Sequence, residues 1–258
     1  MNLTRDNYFS PEANAAFMSA SQFKSFCSCE AETLARLRGD YPEPVPSKDM
    51  LIGSYVDAYF SGELDSFRDS HPEIFSSRGA SKGQLKAEFS RADDLILRII
   101  RDPMMMRYLS GEPQRIMTGE IEGVPFKIKM DSYHPGKCIA DLKVVKDFQP
   151  IYDPVQKKRV HFIEYWGYDI QGAIYQAIEG HRLPFYIVAI TKEPEPDICI
   201  YQIPQERLDI CLEHVKAMVL RFQALKYGKL EPVGCGDCGY CRSIKVLHRV
   251  INYQEEEI

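Results

Sequence analysis

The most constraining feature of this sequence is a nearly continuous apolar run at residues 184–191, Pro-Phe-Tyr-Ile-Val-Ala-Ile-Thr. A short run without alternating polar residues is typical of a β-strand buried on both faces, in a sheet covered by helices on both sides. Hydrophobic residues make up 45% of the chain and charged residues 27%, so the composition excludes a disordered or fibrous protein. The run therefore predicts an α/β protein with this strand near the centre of its sheet.

The flanking sequence supplies the helices and the other strands of such a fold. Apolar residues at three-to-four spacing predict helices over residues 18–38, 49–60, 82–100, 162–180 and 205–227. Short β-like segments bounded by turn signals predict strands over residues 114–121, 124–131, 138–145 and 198–203. The polar stretch 146–160 is expected to be a mobile loop. These elements predict a single α/β domain with a central mixed β-sheet flanked by helices.

The chain shows no repeat or linker that would divide it into separate domains. Within one domain we expect an N-terminal helical part (about 1–110), a core (about 111–230) and a cysteine-bearing C-terminal appendage (about 231–258). No apolar run follows the first basic residue, as a secretory signal would require, and no stretch approaches the roughly 18 apolar residues of a membrane span. We therefore expect a cytoplasmic protein with no membrane segment.

Two aspartates and a lysine in the predicted sheet carry the first chemical signal. Asp131 ends one predicted strand, and Asp141 lies near the end of the next. Neighbouring strands are about 4.8 Å apart, so the two carboxylates can converge on one cation, and hard oxygen ligands suit Mg²⁺. Lys143 shares the face of Asp141 and could assist an attacking water or offset phosphate charge. The alternative is that both aspartates are turn or capping residues.

These three residues resemble the signature of the PD-(D/E)XK nuclease superfamily, an acidic residue followed by Asp or Glu, any residue and Lys. The helix after them carries Gln171-Gly-Ala-Ile-Tyr175, which is similar to the Gln-x-x-x-Tyr motif of the RecB-like branch. The resemblance implies a restriction-endonuclease-like fold and a catalytic set of Asp131, Asp141, Lys143, Gln171 and Tyr175. It also implies that Gln171 and Tyr175 help to hold the substrate strand.

An upstream helix of this superfamily usually carries Gly and then His four residues later. Here the matching stretch is Gly53-Ser-Tyr-Val-Asp57, so Asp57 stands in the histidine position. A carboxylate there could be a further metal ligand or could be structural. Glu120, on the strand before Asp131, is a weaker candidate ligand.

Several segments further resemble RecE-type exonucleases of phages and prophages. They are residues 8–14, 18–24, 29–31, 53–57 and 234–242, so the similarity runs over nearly the whole chain. The resemblance implies a Mg²⁺- or Mn²⁺-dependent deoxyribonuclease that resects linear double-stranded DNA from its ends for phage-type recombination. It further implies a RecT-type single-strand annealing protein as partner and a candidate oligomer. The alternative is a non-catalytic DNA-binding or assembly module that retains the nuclease fold.

Three cysteines near the C-terminus form a separate signal. Cys235, Cys238 and Cys241 are spaced as Cys-x2-Cys-x2-Cys, which is a strong metal-binding spacing. Three ligands leave a tetrahedral site or a cubane cluster one short. Some RecB-like nucleases hold a [4Fe–4S] cluster with one N-terminal and three C-terminal cysteines, and Cys29 occupies the matching N-terminal position. An iron–sulfur cluster, a zinc ion and unligated cysteines all remain open at this point.

The net charge of −5 argues against DNA as a partner when it is taken alone. Residues 124–161, however, contain eight Lys and Arg against four Asp, and the negative run Glu255–Glu257 falls in a terminus that is expected to fray. A basic cleft can attract phosphate on an acidic protein. The candidate phosphate contacts are Lys127, Lys129, Lys146, Lys157, Lys158 and Arg159.

Overall fold

A computed structural model describes residues 1–248, 250 and 252, so the run 255–257 lies outside the described residues. The α-helices are α1 (Pro11–Ala16), α2 (Ala20–Ser28), α3 (Glu30–Arg38), α4 (Lys48–Phe60), α5 (Leu64–Ser70), α6 (Ala87–Ile100), α7 (Pro103–Leu109), α8 (Phe162–Tyr165), α9 (Tyr168–Glu179), α10 (Gln205–Lys226) and α11 (Gly239–Ser243). Two short 3₁₀ turns lie between α5 and α6. Among the described residues, no helix has both the length and the apolar character needed to cross a bilayer.

The strands form one large sheet and a small hairpin. They are β1 (Glu112–Ile121), β2 (Val124–His134), β3 (Cys138–Val145), β4 (Ile151–Asp153), β5 (Lys158–Val160), β6 (Phe185–Thr191) and β7 (Ile198–Gln202). The large sheet has the order β1-β2-β3-β6-β7. Only β3 and β6 are parallel, and the other neighbours in this sheet are antiparallel. The sheet is therefore mixed, as predicted.

The strand predicted to be central is β6, and it lies between β3 and β7. Its side chains alternate between two separate hydrophobic cores, because successive residues of a strand point to opposite faces. Ile187 belongs to the core that also contains α2, α9 and α10, whereas Val188 belongs to the core formed with α4, α6 and α7. Helices thus cover both faces of the sheet, and the prediction of a single domain with a mixed sheet flanked by helices is confirmed.

The single helix predicted over residues 18–38 is wrong. Cys29 adopts an extended backbone (φ −161°, ψ 109°) and separates α2 from α3. Its Sγ accepts the backbone N–H of Glu32, so the thiol caps the second helix as Ser or Asp usually does. Met18 lies before the helix and pairs with Phe126 of β2. The apolar spacing continues across Cys29, which is why periodicity alone does not reveal the break.

Two further predictions in the middle of the chain are corrected. The helix predicted over residues 162–180 is divided at Gly167, which has φ +62° and begins α9. The positive φ favours glycine here, and a side chain at Gly167 would also lie 2.8 Å from Lys24 Cδ, so the lysine would have to shift. The stretch predicted as a mobile loop contains the β4–β5 hairpin, whose strands pair from Ile151–Val160 to Asp153–Lys158.

Candidate active site

Asp131 and Asp141 lie opposite each other on adjacent antiparallel strands. The last registered pair of β2 and β3 is Ser132 with Ala140, and the two aspartates come next along each strand. Here Asp131 Oδ2 accepts the backbone N–H of Leu142 at 3.0 Å. Residues directly opposite on one face of an antiparallel pair have side chains within contact distance. The sheet therefore brings together the two carboxylates that the sequence predicted to converge.

Gln171 and Lys143 contact Asp141 from two sides. Gln171 Nε2 donates a 2.6 Å hydrogen bond to Asp141 Oδ1. The other carboxylate oxygen, Oδ2, forms a close ion pair with the Lys143 ammonium. Lys143 Nζ also lies 4.9 Å from the centroid of the Tyr168 ring, in cation–π geometry. These contacts fix one orientation of a carboxylate that is only 1% exposed.

Burial and mutual repulsion perturb the charges of this cluster. Burial raises the pKa of Asp131 well above its usual range, and the charges of Asp141 and Asp57 raise it further. Burial also raises the pKa of Asp57, against the opposing charges of Lys129 and Lys143. For Lys143, burial lowers the pKa, but Asp141 and Asp131 outweigh this effect and the net shift is upward. The site thus combines carboxylates that repel one another with an ammonium group that stays charged.

The donor set of the cluster fits a divalent cation. Among the described residues, Gln114 Oε1 is a buried side-chain oxygen without a hydrogen-bond donor, whereas Asp141 Oδ2 is paired with the Lys143 ammonium. Gln114 is 3% exposed, and its Nε2 lies 3.5 Å from Asp57 Oδ1. An unpaired buried oxygen and repelling carboxylates are costly unless a cation or water compensates them, and oxygen ligands are those that Mg²⁺ prefers. Asp131, Asp141 and Asp57 are therefore the residues that could hold a cation.

Gln114 is a member of this cluster that the sequence did not indicate. It lies in β1 between Pro113 and Arg115, which pair with the residues that flank Asp131. Its backbone has φ +53°, an uncommon conformation for a residue other than glycine. No motif or spacing in the sequence marks this glutamine.

An open cleft with a cavity volume of about 1090 Å³ adjoins the cluster. Its charged lining residues are Asp49, Asp57, Asp131, Lys143, Lys146, Asp147, Arg159 and Lys192. Trp166, the only tryptophan of the chain, also lines the cleft and is 52% exposed. Lys192 was not predicted, although it follows β6 at the carboxyl end of the parallel pair, where α/β sheets place ligand sites. The cleft thus contains cationic side chains that can bind phosphate and an exposed indole ring on which a base can stack.

Tyr175 does not reach the cleft, which corrects the role expected for it. Its hydroxyl donates to the backbone carbonyl of Lys129 at 2.9 Å, and its ring packs edge-on against Phe185. Tyr175 is 8% exposed, and burial raises the pKa of its hydroxyl well above the usual range. It therefore positions β2 rather than the substrate strand.

Two other predicted site residues are also corrected. Lys127 is 1% exposed; its ammonium donates to the carbonyl of Tyr8 and, at 2.7 Å, to Asn14 Oδ1, so it cannot contact DNA phosphate. Glu120 is exposed and pairs with Pro125 near the hairpin end of β1. Six residues separate it from Gln114, on the order of 20 Å along the strand, so it is not a ligand of this cluster.

The other predicted basic residues differ in their access to the cleft. Lys146 and Arg159 are exposed and line it, and Lys157 and Lys158 are exposed on the β4–β5 hairpin. Lys129 is half-buried, with its Nζ 4.8 Å from the centroid of the exposed Phe9 ring. These five remain candidates for phosphate contact.

The four predicted metal-binding cysteines converge away from this cleft. The Sγ atoms of Cys29, Cys235, Cys238 and Cys241 all lie within 4.8 Å of one another. The structure thus brings Cys29 to the C-terminal triplet, and the group is compatible with a metal site.

The fold and the clustered site place the chain in a known class of nuclease-like proteins. A family model described as "PDDEXK-like domain of unknown function (DUF3799)" matches residues 19–244. The chain belongs to this family. No curated protein matches the chain.

A solved structure is similar over almost the whole length. It is the crystal structure of a "Putative exonuclease" from Eubacterium rectale, with 42% sequence identity and a TM-score of 0.90. The match covers 98% of this chain and 97% of the other. The two proteins therefore share the same single-domain architecture throughout.

Proposed function

We propose that this protein is a metal-dependent deoxyribonuclease that degrades linear double-stranded DNA from its ends. The observation that carries the proposal is the convergence of Asp131, Asp141 and Lys143 beside an open cleft whose lining also includes Lys146, Arg159 and Lys192. Membership of the PDDEXK-like family and the similarity to a protein described as an exonuclease support the same activity.

Asp131 and Asp141 would hold the cation, with Asp57 as a third carboxylate. A bound Mg²⁺ or Mn²⁺ would supply Lewis acidity toward a phosphate oxygen and a lowered pKa for an attacking water. A cation there would also relieve the repulsion that raises the pKa of Asp131. Gln171 keeps Asp141 in one orientation through its hydrogen bond to Oδ1.

Lys143 acts as a fixed positive charge in this proposal. Burial lowers its pKa, but the charges of Asp141 and Asp131 outweigh this effect and shift the pKa upward, which favours the ammonium form. The ammonium can offset the negative charge that develops on the scissile phosphate. Exposed cations such as Lys146 and Arg159 would bind the neighbouring phosphates, which fix the position of DNA without reading its sequence.

Resection from an end would expose a single strand, which is the substrate of a RecT-type annealing protein. We propose that the product keeps a 3′ tail. A linear duplex labelled at either the 5′ or the 3′ end tests this polarity, because early release of the 5′ label is expected. Early release of the 3′ label would reverse the polarity.

The central experiment compares linear, nicked and closed circular DNA with and without Mg²⁺. Only the linear duplex should be degraded from its ends, and only with the cation present. Asp141→Asn and Lys143→Ala should each lower the rate by about 100-fold or more. Asp94→Asn and Lys137→Ala, at exposed positions outside the site, are the matched controls and should leave the rate unchanged. If the wild type and the variants all bind DNA but none of them digests it, the protein is a non-catalytic DNA-binding module instead.

A further inference from the structure

The four-cysteine group joins segments that are far apart in the sequence. Cys29 Sγ lies 3.6 Å from Cys241 Sγ and 3.8 Å from Cys238 Sγ, although more than 200 residues separate these positions along the chain. Cys29 and Cys241 are 5% and 8% exposed. The structure contains no disulfide among these cysteines. Four thiols held this closely without covalent bonds form a ready-made ligand set.

The sulfur–sulfur distances discriminate between the metal groups that four cysteines can hold. Around one tetrahedral ion with bonds of about 2.3 Å, the sulfurs stand about 3.8 Å apart. A cubane cluster binds each thiolate to a different iron, which spreads the sulfurs to on the order of 6 Å. The distances of 3.6 and 3.8 Å, and the limit of 4.8 Å for all four atoms, match the single ion. They are too short for the [4Fe–4S] cluster.

The local backbone also suits bound thiolates. Three of the sulfurs accept backbone N–H groups: Cys29 from Glu32 and Cys235 at 3.5 Å, Cys235 from Cys238 at 3.3 Å, and Cys238 from Cys241 at 3.4 Å. Such donors offset the excess negative charge of four thiolates around a divalent ion.

The turn between Cys235 and Cys238 is shaped by glycine. Gly236 has φ +84°, in the left-handed region that favours glycine, and this allows the chain to bring both sulfurs to one point. A side chain at Gly234 would lie 2.9 Å from Cys241 Sγ and would intrude on the sulfur group. Both glycines therefore keep the chain close to the sulfur group without a side chain that would displace a ligand atom.

We propose that Cys29, Cys235, Cys238 and Cys241 bind one zinc ion in a structural site. Four thiolates in tetrahedral arrangement are typical of zinc or iron, and among divalent ions zinc binds such ligands more tightly than iron(II). All four positions are filled by protein, which is the mark of a structural rather than a catalytic zinc site. The site is separate from the acidic cluster and does not depend on the proposed nuclease activity.

The zinc would hold the C-terminal segment against α3. That contact already includes Glu30, which accepts both the Arg221 guanidinium and, at 2.9 Å, the backbone N–H of Val233. Tyr240 packs against Tyr41 with ring centroids 5.2 Å apart. The unfolded chain lacks the site, so the free energy of metal binding adds to the stability of the folded protein. Loss of the ion should therefore weaken the contact between the C-terminal segment and α3.

The test is elemental analysis of the full chain, produced with both zinc and iron in the medium and purified without oxygen. The expected result is a colourless protein with about one zinc per chain and negligible iron. A brown protein with about four irons per chain, a protein with one iron, or a metal-free protein would each overturn the proposal.

A pair of variants locates the ion. Cys238→Ser should lose the zinc, whereas Cys27→Ser, at an exposed cysteine beside the site, should keep it. Full zinc content in Cys238→Ser would show that the ion lies elsewhere. Since Cys238→Ser could fail to fold, the wild type is also loaded with Co²⁺ in place of zinc. The visible bands of a tetrahedral cobalt–thiolate site are expected, and their absence would contradict the assignment.

Discussion

Gln171 of α9 donates a 2.6 Å hydrogen bond to Asp141 of β3, so a helix amide orients a carboxylate at the centre of the sheet. Both groups are buried, at 7% and 1% exposure, and water does not readily replace the amide. A group that hydrogen-bonds to a metal ligand fixes its orientation, and its loss commonly lowers metal affinity or activity by about 10- to 100-fold.

Replacing this amide should weaken cation use. We expect Gln171→Ala to raise the Mg²⁺ concentration for half-maximal DNA digestion by about 10- to 100-fold, because Asp141 loses its fixed orientation. A Mg²⁺ titration of digestion rate measures the effect. Gln202→Ala, at an exposed strand end, is the matched control and should behave as wild type. An unchanged Mg²⁺ requirement in Gln171→Ala would contradict the positioning role.

Asp57 should stabilise the metal-bound protein and destabilise the metal-free one. Its pKa is raised mainly by burial, and the Asp141 charge adds to this. An asparagine at this position would carry no charge to be buried or to repel Asp141. We therefore expect Asp57→Asn to increase the free energy of unfolding of the metal-free protein by about 1 kcal/mol. The variant should also show a smaller rise in Tm on addition of Mg²⁺ than wild type, because it binds the cation less tightly. Thermal unfolding with and without Mg²⁺ measures both changes, and a larger Mg²⁺ effect in the variant would refute the ligand role.

Gly172 is required by packing, although glycine is a poor helix former. A Cβ at this position in α9 would lie 2.6 Å from Phe185 Cδ1 and 3.0 Å from Leu208 Cδ2. We expect Gly172→Ala to destabilise the protein by about 1–3 kcal/mol through overpacking, despite the better helix propensity of alanine.

The matched helical control for this substitution is Gly53→Ala in α4. The nearest atom to its added Cβ is Val144 Cβ at 4.0 Å, so the methyl group fits. Stability should be unchanged or should rise by about 0.5–1 kcal/mol. Urea unfolding of both variants gives the comparison, and equal effects would show that packing at Gly172 is not the cause.

Lys226 should make stability depend on pH in the alkaline range. Its ammonium donates to the carbonyls of Asn14 and Phe17 and to Gln22 Oε1, and burial together with the Lys127 charge lowers its pKa to about 8. The unfolded chain has a pKa near 10.5, so between about pH 8 and pH 10.5 the unfolded state binds more protons. The contribution of this group to stability therefore rises with pH across that window.

The variant Lys226→Met isolates this contribution. It lacks the titrating group, so its stability should rise less with pH than that of wild type, by at most about 1.4 kcal/mol per pH unit. Urea unfolding at several pH values within the window measures the two slopes. Identical slopes would exclude Lys226 as the titrating group.

The sheet was predictable from sequence because its signals are local. The apolar run of β6 predicted a central strand, and the period of two in β2 and β3 predicted that Asp131 and Asp141 can converge and that Lys143 shares the face of Asp141. Each of these inferences uses only residues that are neighbours along one strand or across one strand pair.

Three site residues were mispredicted or missed because their surroundings are not encoded in the local sequence. Lys127 was predicted to be a surface cation, but its ammonium is buried and donates a hydrogen bond to Asn14 of α1. Tyr175 shares a helix face with Gln171, yet its hydroxyl donates a hydrogen bond to the backbone carbonyl of Lys129 in β2 and does not extend into the cleft. Gln114 has no sequence signal because its place in the cluster depends on an uncommon backbone conformation in β1. Such partners are set by tertiary packing, which local patterns do not encode.

The separation of Cys29 from Cys241 has a consequence for biosynthesis. Proteins fold progressively as they leave the ribosome, from the N-terminus onward. Cys29 caps α3, but the sulfur that lies 3.6 Å from its own is synthesised 212 residues later. The sulfur group can therefore be completed only after residue 241 has emerged, so α3 waits for the 212 residues that follow Cys29 before this contact can close.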